Sequence, residues 1–397
     1  MALSGYSVLG VLGEGAYASV VRARSRDTGK IVAVKRVKAL DPKIDVDVDV
    51  PYVYRCLKRE IVCLRKVKHR NVVQLYEAIF DGQSSGTGDI RRQSSASDVQ
   101  TFRRLDLVFE CLDRTLLDHI SDHPDGDCNK DRLQSFCFQL VCAVDACHAV
   151  GVIHRDIKPD NILITKDGKT LKLADFGISR SVLKPGDRSG GMTPYSSTRW
   201  YRAPELLFCT SRYSPKVDVW AVGCVCAELA TGEPLFAGDT EQDQLECMQR
   251  TLGSHFSSAH LEYFRKRVIG FRPNKEKSTS LEEALGSSFS SIGRSFVSSA
   301  LRLDPSQRYS SNALIHHKYF ERLLEKDPEH GRTGDGSCYM GTMGDEAKSD
   351  DDVYVPAVIA GDDEDGHASE VGSEVESGGA YSQDEFDDED EYSDDFS

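Results

Sequence analysis

The chain has 397 residues, 39% of them hydrophobic and 28% charged, with a formal net charge of −15. That length suits one large two-lobed domain or two ordinary ones, and the composition excludes a fibrous or wholly disordered protein. The acidity is local: residues 345–397 hold 21 Asp and Glu against the single basic Lys348, leaving residues 1–344 at +5.

Apolar residues alternate from Tyr6 to Gly13, again from Ala18 to Ala23, and again from Ile31 to Val37 after the turn formers Asp27, Thr28 and Gly29. This pattern predicts three antiparallel strands. Leu57, Ile61, Leu64 and Val67 recur at helical spacing and predict a helix over 54–67, preceded by a loop over 41–51. The runs Val72–Phe80 and Leu105–Glu110 complete a five-stranded sheet, separated by a Ser-, Gly- and Gln-rich insert over about 82–101 that reads as an unstructured surface loop. Beyond 112 the pattern turns helical. Leu133, Phe136, Cys137, Leu140, Val141 and Val144 lie on one helix closed by Gly151, and Ser214 with Pro215 opens another that Gly232 ends. An α+β fold follows: a sheet lobe over 1–112, a mainly helical lobe over 113–324, and an acidic tail over 325–397 too polar to offset the entropy of ordering.

Twelve cysteines are scattered through apolar stretches with no Cys-x-x-Cys pair, which reads as buried reduced thiols rather than disulfides or zinc ligands. Residues 1–10 lack the basic segment of a secretory leader, and no apolar run approaches the ~20 residues of a membrane span. The expectation is a cytoplasmic or nuclear protein with neither membrane nor nucleic acid as partner.

Chemistry gathers in five segments. Gly13-Glu14-Gly15-Ala16-Tyr17-Ala18-Ser19-Val20 joins the first two strands, where absent side chains let backbone N–H groups approach phosphate. On its own a glycine hairpin can be only a turn. In Val32-Ala33-Val34-Lys35 the strand alternation sets Lys35 on the face of Ala33 and Val37, so this lysine is directed at something other than solvent. His154-Arg155-Asp156-Ile157-Lys158-Pro159-Asp160-Asn161 follows, then Asp175-Phe176-Gly177, then Ala203-Pro204-Glu205. In this order and in these strand and helix contexts, the set resembles the protein kinase family, from about Tyr6 to Phe320.

That resemblance implies a bilobal fold that uses ATP and Mg²⁺ to phosphorylate protein substrates. It assigns Lys35 to the α and β phosphates with Glu60 as its ion-pair partner, and Asn161 and Asp175 to the metal. Asp156 would accept the substrate proton, and Lys158 would face the γ-phosphate and mark a serine/threonine enzyme. Gly13, Glu14, Gly15, Val20, Ala33 and Leu163 would surround the nucleotide, Phe109 would back the adenine pocket, and the backbone from Glu110 to Leu112 would bond adenine. Glu205 with Arg308 and Asp218 would be structural. Ala18 stands where the usual loop has a third glycine, and the 25 residues between Lys35 and Glu60 are long for the family.

Thr198-Arg199-Trp200-Tyr201-Arg202 and Leu303-Asp304-Pro305 are similar to the group holding cyclin-dependent and MAP kinases, and Thr193-Pro194-Tyr195 matches the Thr-x-Tyr element of MAP kinases. Leu107–Leu117, His123-Pro124-Asp125-Gly126 and Asp218–Cys224 instead resemble the cyclin-dependent-kinase-like family, which is the reading adopted. The Pro-Ser-Thr start of a cyclin-binding helix is absent, so no cyclin is expected. Thr193 and Tyr195 are candidate phosphorylation sites for an upstream kinase, with Arg155 and Arg180 to receive the first phosphate and Arg199 and Arg202 the second. Arg91-Arg92-Gln93-Ser94 resembles a further site. The acidic run 384–391 reads as a binding arm, a pseudosubstrate cover or a solubilising tail. The same resemblance implies cilia or flagella as a location to expect. A scaffold that binds nucleotide without catalysis is the competing reading, weakened by the presence of Lys35, Asp156, Asn161 and Asp175 together.

Overall fold

A computed structural model describes residues 3, 5–14, 18–37, 50–80, 83–85, 105–127, 129–177, 179–181, 199–207, 213–253 and 279–326. Strand β1 (Tyr6–Glu14) pairs antiparallel with β2 (Ala18–Ser25), and β2 with β3 (Ile31–Val37). Helix α1 spans Val50–Lys66. Its start overrides the expected loop through residue 51: Pro51 lies in the first turn, where a missing N–H costs nothing because no carbonyl precedes it in the helix. Strands β4 (Leu75–Phe80), β5 (Gln83–Ser85) and β6 (Leu105–Glu110) complete a sheet of order β1-β2-β3-β6-β4-β5. The five expected strands are present. Three residues of the insert expected to be unstructured form β5 instead: they pair with Ala78–Phe80 on the sheet edge, where a polar segment needs no second strand to cover it.

The run predicted as one strand over 72–80 is broken at Gln74 by a competing partner. Val72 forms a parallel bridge to Leu173, while Leu173 N–H donates to Asn71 O at 2.8 Å and Val73 N–H to Leu173 O at 2.9 Å. This segment therefore pairs with the second lobe before β4 enters the first.

In that second lobe, β7 (Arg114–Thr115) leads into α2 (Leu116–Ser121), opened by a capping box in which Thr115 and Asp118 bond each other's backbone N–H. Asn129 caps α3 (Lys130–Ala149), and Gly151 follows in the left-handed region at φ 71°. Short β8 (Val152–Ile153), β9 (Ile162–Ile164), β10 (Leu171–Leu173) and β11 (Arg180–Ser181) make two small sheets, β10-β9-β7 and β11-β8. Then come α4 (Pro204–Leu207), α5 (Lys216–Thr231) and α6 (Glu241–Leu252). Helix α5 starts one residue later than the sequence suggested, with Ser214 Oγ accepting from Lys216 N–H at 3.3 Å.

Helix α5 is apolar on every side because it is the axis of the lobe: α3 packs on it, and Val217 through Ala230 are buried. Trp220, fully buried, stacks on Phe236 at 5.7 Å, with the Arg308 guanidinium 5.1 Å from its ring. The same guanidinium forks onto Glu205 at 2.7 and 2.8 Å, tying α4 to the end of the lobe. Gly232 ends α5 at φ 83°, and a Cβ there would sit 2.0 Å from Pro124 O; only glycine allows this approach. No described helix is long and apolar enough to cross a membrane.

Replacing Arg308 with Met should lower unfolding free energy by about 3–5 kcal/mol, because Glu205 would be left buried and unpaired. Urea denaturation measures it, and the double variant Glu205→Gln with Arg308→Met should recover part of the loss.

Candidate active site

The cleft lies between β1–β3 and the segments after α3. Val20 pairs with Lys35 across β2–β3, and Ala33 pairs with Phe109 across β3–β6, so these side chains share the sheet's register at the cleft. Gly13 pairs with Val20, with open space where a Cβ would stand; Glu14, next to it, is exposed. Gly15 lies outside the described residues. Glu110 and Leu112 are half-buried in the connection to the second lobe, and Leu163 is half-buried on β9.

Lys35 Nζ meets both oxygens of Glu60 at 3.0 and 2.9 Å and Asp175 Oδ1 at 3.1 Å. Burial alone would lower the lysine's pKa, but the two carboxylates outweigh it and hold the ammonium above its ordinary value. Glu60, buried on α1, thus has a charge partner 25 residues away in sequence. Glu77, on β4, accepts from the Tyr6 hydroxyl. Asp175, half-exposed, is held below the usual carboxylate range first by the Lys35 charge. It sits at φ 59°, a left-handed conformation that a non-glycine residue adopts only when its surroundings impose it.

The second group is built on a turn. Asp218, buried on α5, accepts from His154 N–H and Arg155 N–H, each at 2.8 Å, and from His148 Nε2 at 2.8 Å. Burial pushes this carboxyl up, but the His148 bond and the surrounding charge bring it below its ordinary range. With both N–H groups fixed, Arg155 adopts φ 70° and Asp156 is presented to the cleft. Asn161 Nδ2 donates to Asp156 Oδ2 at 2.8 Å and to Asp156 O at 2.9 Å, and Lys158 Nζ lies 3.5 Å from Asp156 Oδ2. His154 is buried, its Nε2 3.0 Å from Ala174 O, with fully buried Phe176 against its ring edge at 4.6 Å. These contacts join the Asp156 turn to the Asp175 segment.

A divalent cation fits the donor set. Asn161 spends its amide nitrogen on Asp156 and has its Oδ1 besides, while Asp175 spends Oδ1 on Lys35 and has Oδ2 besides, both oxygens of the hard type that Mg²⁺ prefers. Elsewhere among the described residues, His119, His123 and Asp127 bring three ligand atoms within 4.8 Å of one another. The Arg132 guanidinium already bonds both Asp127 oxygens there, at 2.7 and 2.8 Å, so this cluster has a resident cation.

The sequence of the protein kinase domain family matches residues 6–320. Cyclin-dependent kinase-like 4 of Mus musculus is 37% identical over 83% of this chain and 87% of its own length. The chain is a protein kinase of the cyclin-dependent-kinase-like family. Cyclin-dependent kinase-like 1 of Caenorhabditis elegans is 36% identical over 80% of this kinase and 81% of its own length. Cyclin-dependent kinase-like 2 of Oryctolagus cuniculus is 36% identical over 80% of the chain, which spans only half of that relative's length.

The regulatory candidates are less gathered. Arg155 Nη1 donates to the Tyr213 hydroxyl at 3.0 Å, and exposed Arg199 donates to Asp239 O at 3.2 Å. Arg202 is half-buried beside the turn Arg199–Tyr201. Thr193, Tyr195, the Arg180 side chain, the remainder of the 82–101 insert and the tail beyond Lys326 lie outside the described residues; Glu325 and Lys326, expected in the tail, instead end the helix Glu321–Lys326.

Sequence reasoning passed over Glu228. It is 3% exposed on α5, bonded by the Tyr201 hydroxyl, and its Oε2 has no partner. Burial, joined by Asp160 and Glu233, pushes its carboxyl up to about 7 despite the Tyr201 bond. In the unfolded chain the group ionises near 4.5, so between pH 4.5 and 7 the folded kinase holds a proton the unfolded chain has lost, and stability falls as pH rises through that window. Glu228→Gln should remove this slope. Thermal unfolding at pH 5 and pH 8 should show the variant gaining several degrees on the wild type at the higher pH.

Proposed function

We propose that this kinase transfers the γ-phosphoryl group of ATP to serine and threonine hydroxyls of protein substrates. The observation that carries the reading is Lys35 held between Glu60 and Asp175, a cation aimed into the cleft between the two lobes. Phosphoryl transfer needs charge neutralised around the triphosphate, an in-line nucleophile and an acceptor for the hydroxyl proton. Lys35 supplies the first at the α and β phosphates. Asp156, oriented by Asn161 at 2.8 Å, supplies the last, and Lys158 beside it faces the γ-phosphate. The backbone from Glu110 to Leu112 offers donors and acceptors to adenine, with Ala33, Val20 and Leu163 as the apolar walls. Asn161 and Asp175 would hold Mg²⁺, which would supply positive charge against the phosphates. Lys158, two residues after Asp156, supports serine and threonine as acceptors.

Phosphorylation of a degenerate peptide library by the purified kinase tests catalysis and acceptor preference together. Lys35→Met or Asp156→Asn should abolish transfer, while a near-normal melting temperature shows that the fold is retained. Near-normal turnover by either variant would overturn the assigned roles.

Activation belongs to the same proposal. Phosphates on Thr193 and Tyr195 would add about three to four negative charges to the segment before the Arg199–Tyr201 turn. Arg155 and Arg180 are the proposed partners of the first phosphate and Arg199 and Arg202 of the second, with an upstream kinase as the source and no cyclin. Thr193→Ala with Tyr195→Phe should lower activity more than tenfold, as should phosphatase treatment of the active enzyme. Full activity of the unphosphorylated double variant on an intact protein would remove the switch and leave the kinase assignment standing.

A further inference from the structure

The side chain of Glu110 is not needed for the adenine contact, which uses backbone atoms, yet it is 19% exposed and doubly bonded. Its Oε1 accepts the Gln74 N–H at 2.7 Å and the Lys172 ammonium at 2.8 Å, while its own N–H donates to Gln74 O at 3.1 Å. Lys172 is the middle residue of β10 and stands directly opposite Leu163 in the β9–β10 register. Glu110 stands opposite Val32 on β3. One carboxylate oxygen therefore joins three pieces of chain: the strand leading into the hinge, the entry to β4, and the ribbon that supplies Leu163 and leads three residues later to Asp175.

We propose that the Glu110–Lys172 pair is a hinge clamp that sets the separation between the two walls of the adenine slot. The backbone ladder from Leu173 to Asn71 and Val73 already fixes β10 against the start of β4. What the pair adds is the hinge itself. If the lobes rotate apart about 110–112, the 2.8 Å contact is the one that must stretch, and Leu163 withdraws from the hinge backbone with it. The pair is 15% and 19% exposed, sheltered enough to exceed a surface ion pair and wet enough that charge burial does not cancel it. Lys35, Asp156 and Asp175 are untouched by its loss, so the effect belongs in nucleotide binding rather than in the transfer step. Both residues are positioning residues.

The inference rests on the reading of the cleft as the ATP site, and the experiment separates the two. Lys172→Met and Glu110→Gln should each raise KM for ATP about five- to tenfold and weaken binding of a fluorescent ATP analogue to the same degree, with kcat within about twofold of wild type. The double variant should be no worse than the weaker single, since one interaction is lost once. Lys172→Arg, which keeps the charge and a donor, should bind the analogue nearly as well as wild type. Melting temperatures of all variants guard against loss of fold. If the wild type bound no nucleotide, both readings would fall. If it bound and the singles bound equally well, or if their penalties multiplied in the double variant, the clamp alone would be overturned.

Discussion

The catalytic geometry hangs on one buried carboxylate. Asp218 sits on the most deeply buried helix of the larger lobe and accepts the N–H groups of His154 and Arg155. Those bonds hold Arg155 in a left-handed conformation that costs of order 1–3 kcal/mol and would otherwise relax. The strained turn is what delivers Asp156 to the cleft. Because α5 is buried from Val217 to Ala230, the anchor is set in packed surroundings, and the precision of the turn is inherited from the core rather than made by the loop itself.

Charge in the cleft is organised around the Lys35 ammonium. Glu60 takes it from the α1 side and Asp175 from the opposite lobe, so the one cation reports on both elements at once. Asp175 is also left-handed, at φ 59°, and half-exposed. Its place is kept by the ion pair on one side and, one residue back, by the Ala174 carbonyl on His154. The two left-handed non-glycine residues of the described backbone, Arg155 and Asp175, are thus linked through His154, whose N–H meets Asp218 and whose ring meets Ala174 O.

Much of this was legible in the sequence because the chemistry is local. Asp156, Lys158 and Asn161 lie within six residues, and the strand alternation around Lys35 fixed its face. The Glu60 partner was reachable through the helical spacing of Leu57, Ile61 and Leu64. The rest depends on contacts that periodicity cannot report. Gln74 ends a run that looks like one strand because Val72 and Val73 pair with Leu173, about 100 residues away, and apolar residues read the same whichever sheet they join. Lys172 and Glu110 each look like ordinary surface charges flanking buried strands. Glu228 falls near the end of a mostly apolar helix, where an acid beside alanines and a leucine gives no hint of its buried, half-satisfied carboxylate.

The pairing of residues 71–73 with β10 gives α1 a fulcrum. The helix ends at Lys66, a few residues before its chain is stitched to the larger lobe, and Asn71 adds side-chain bonds to Gln139 and to Leu171 O, both at 2.8 Å. Glu60 therefore sits on a lever arm of about 9 Å measured from the end of the helix. A swing of about 20° about that pinned end would carry its carboxylate about 3 Å, as far as the whole length of its bond to Lys35. Small torques applied to the N-terminal end of α1 would be geared directly into making or breaking the ion pair.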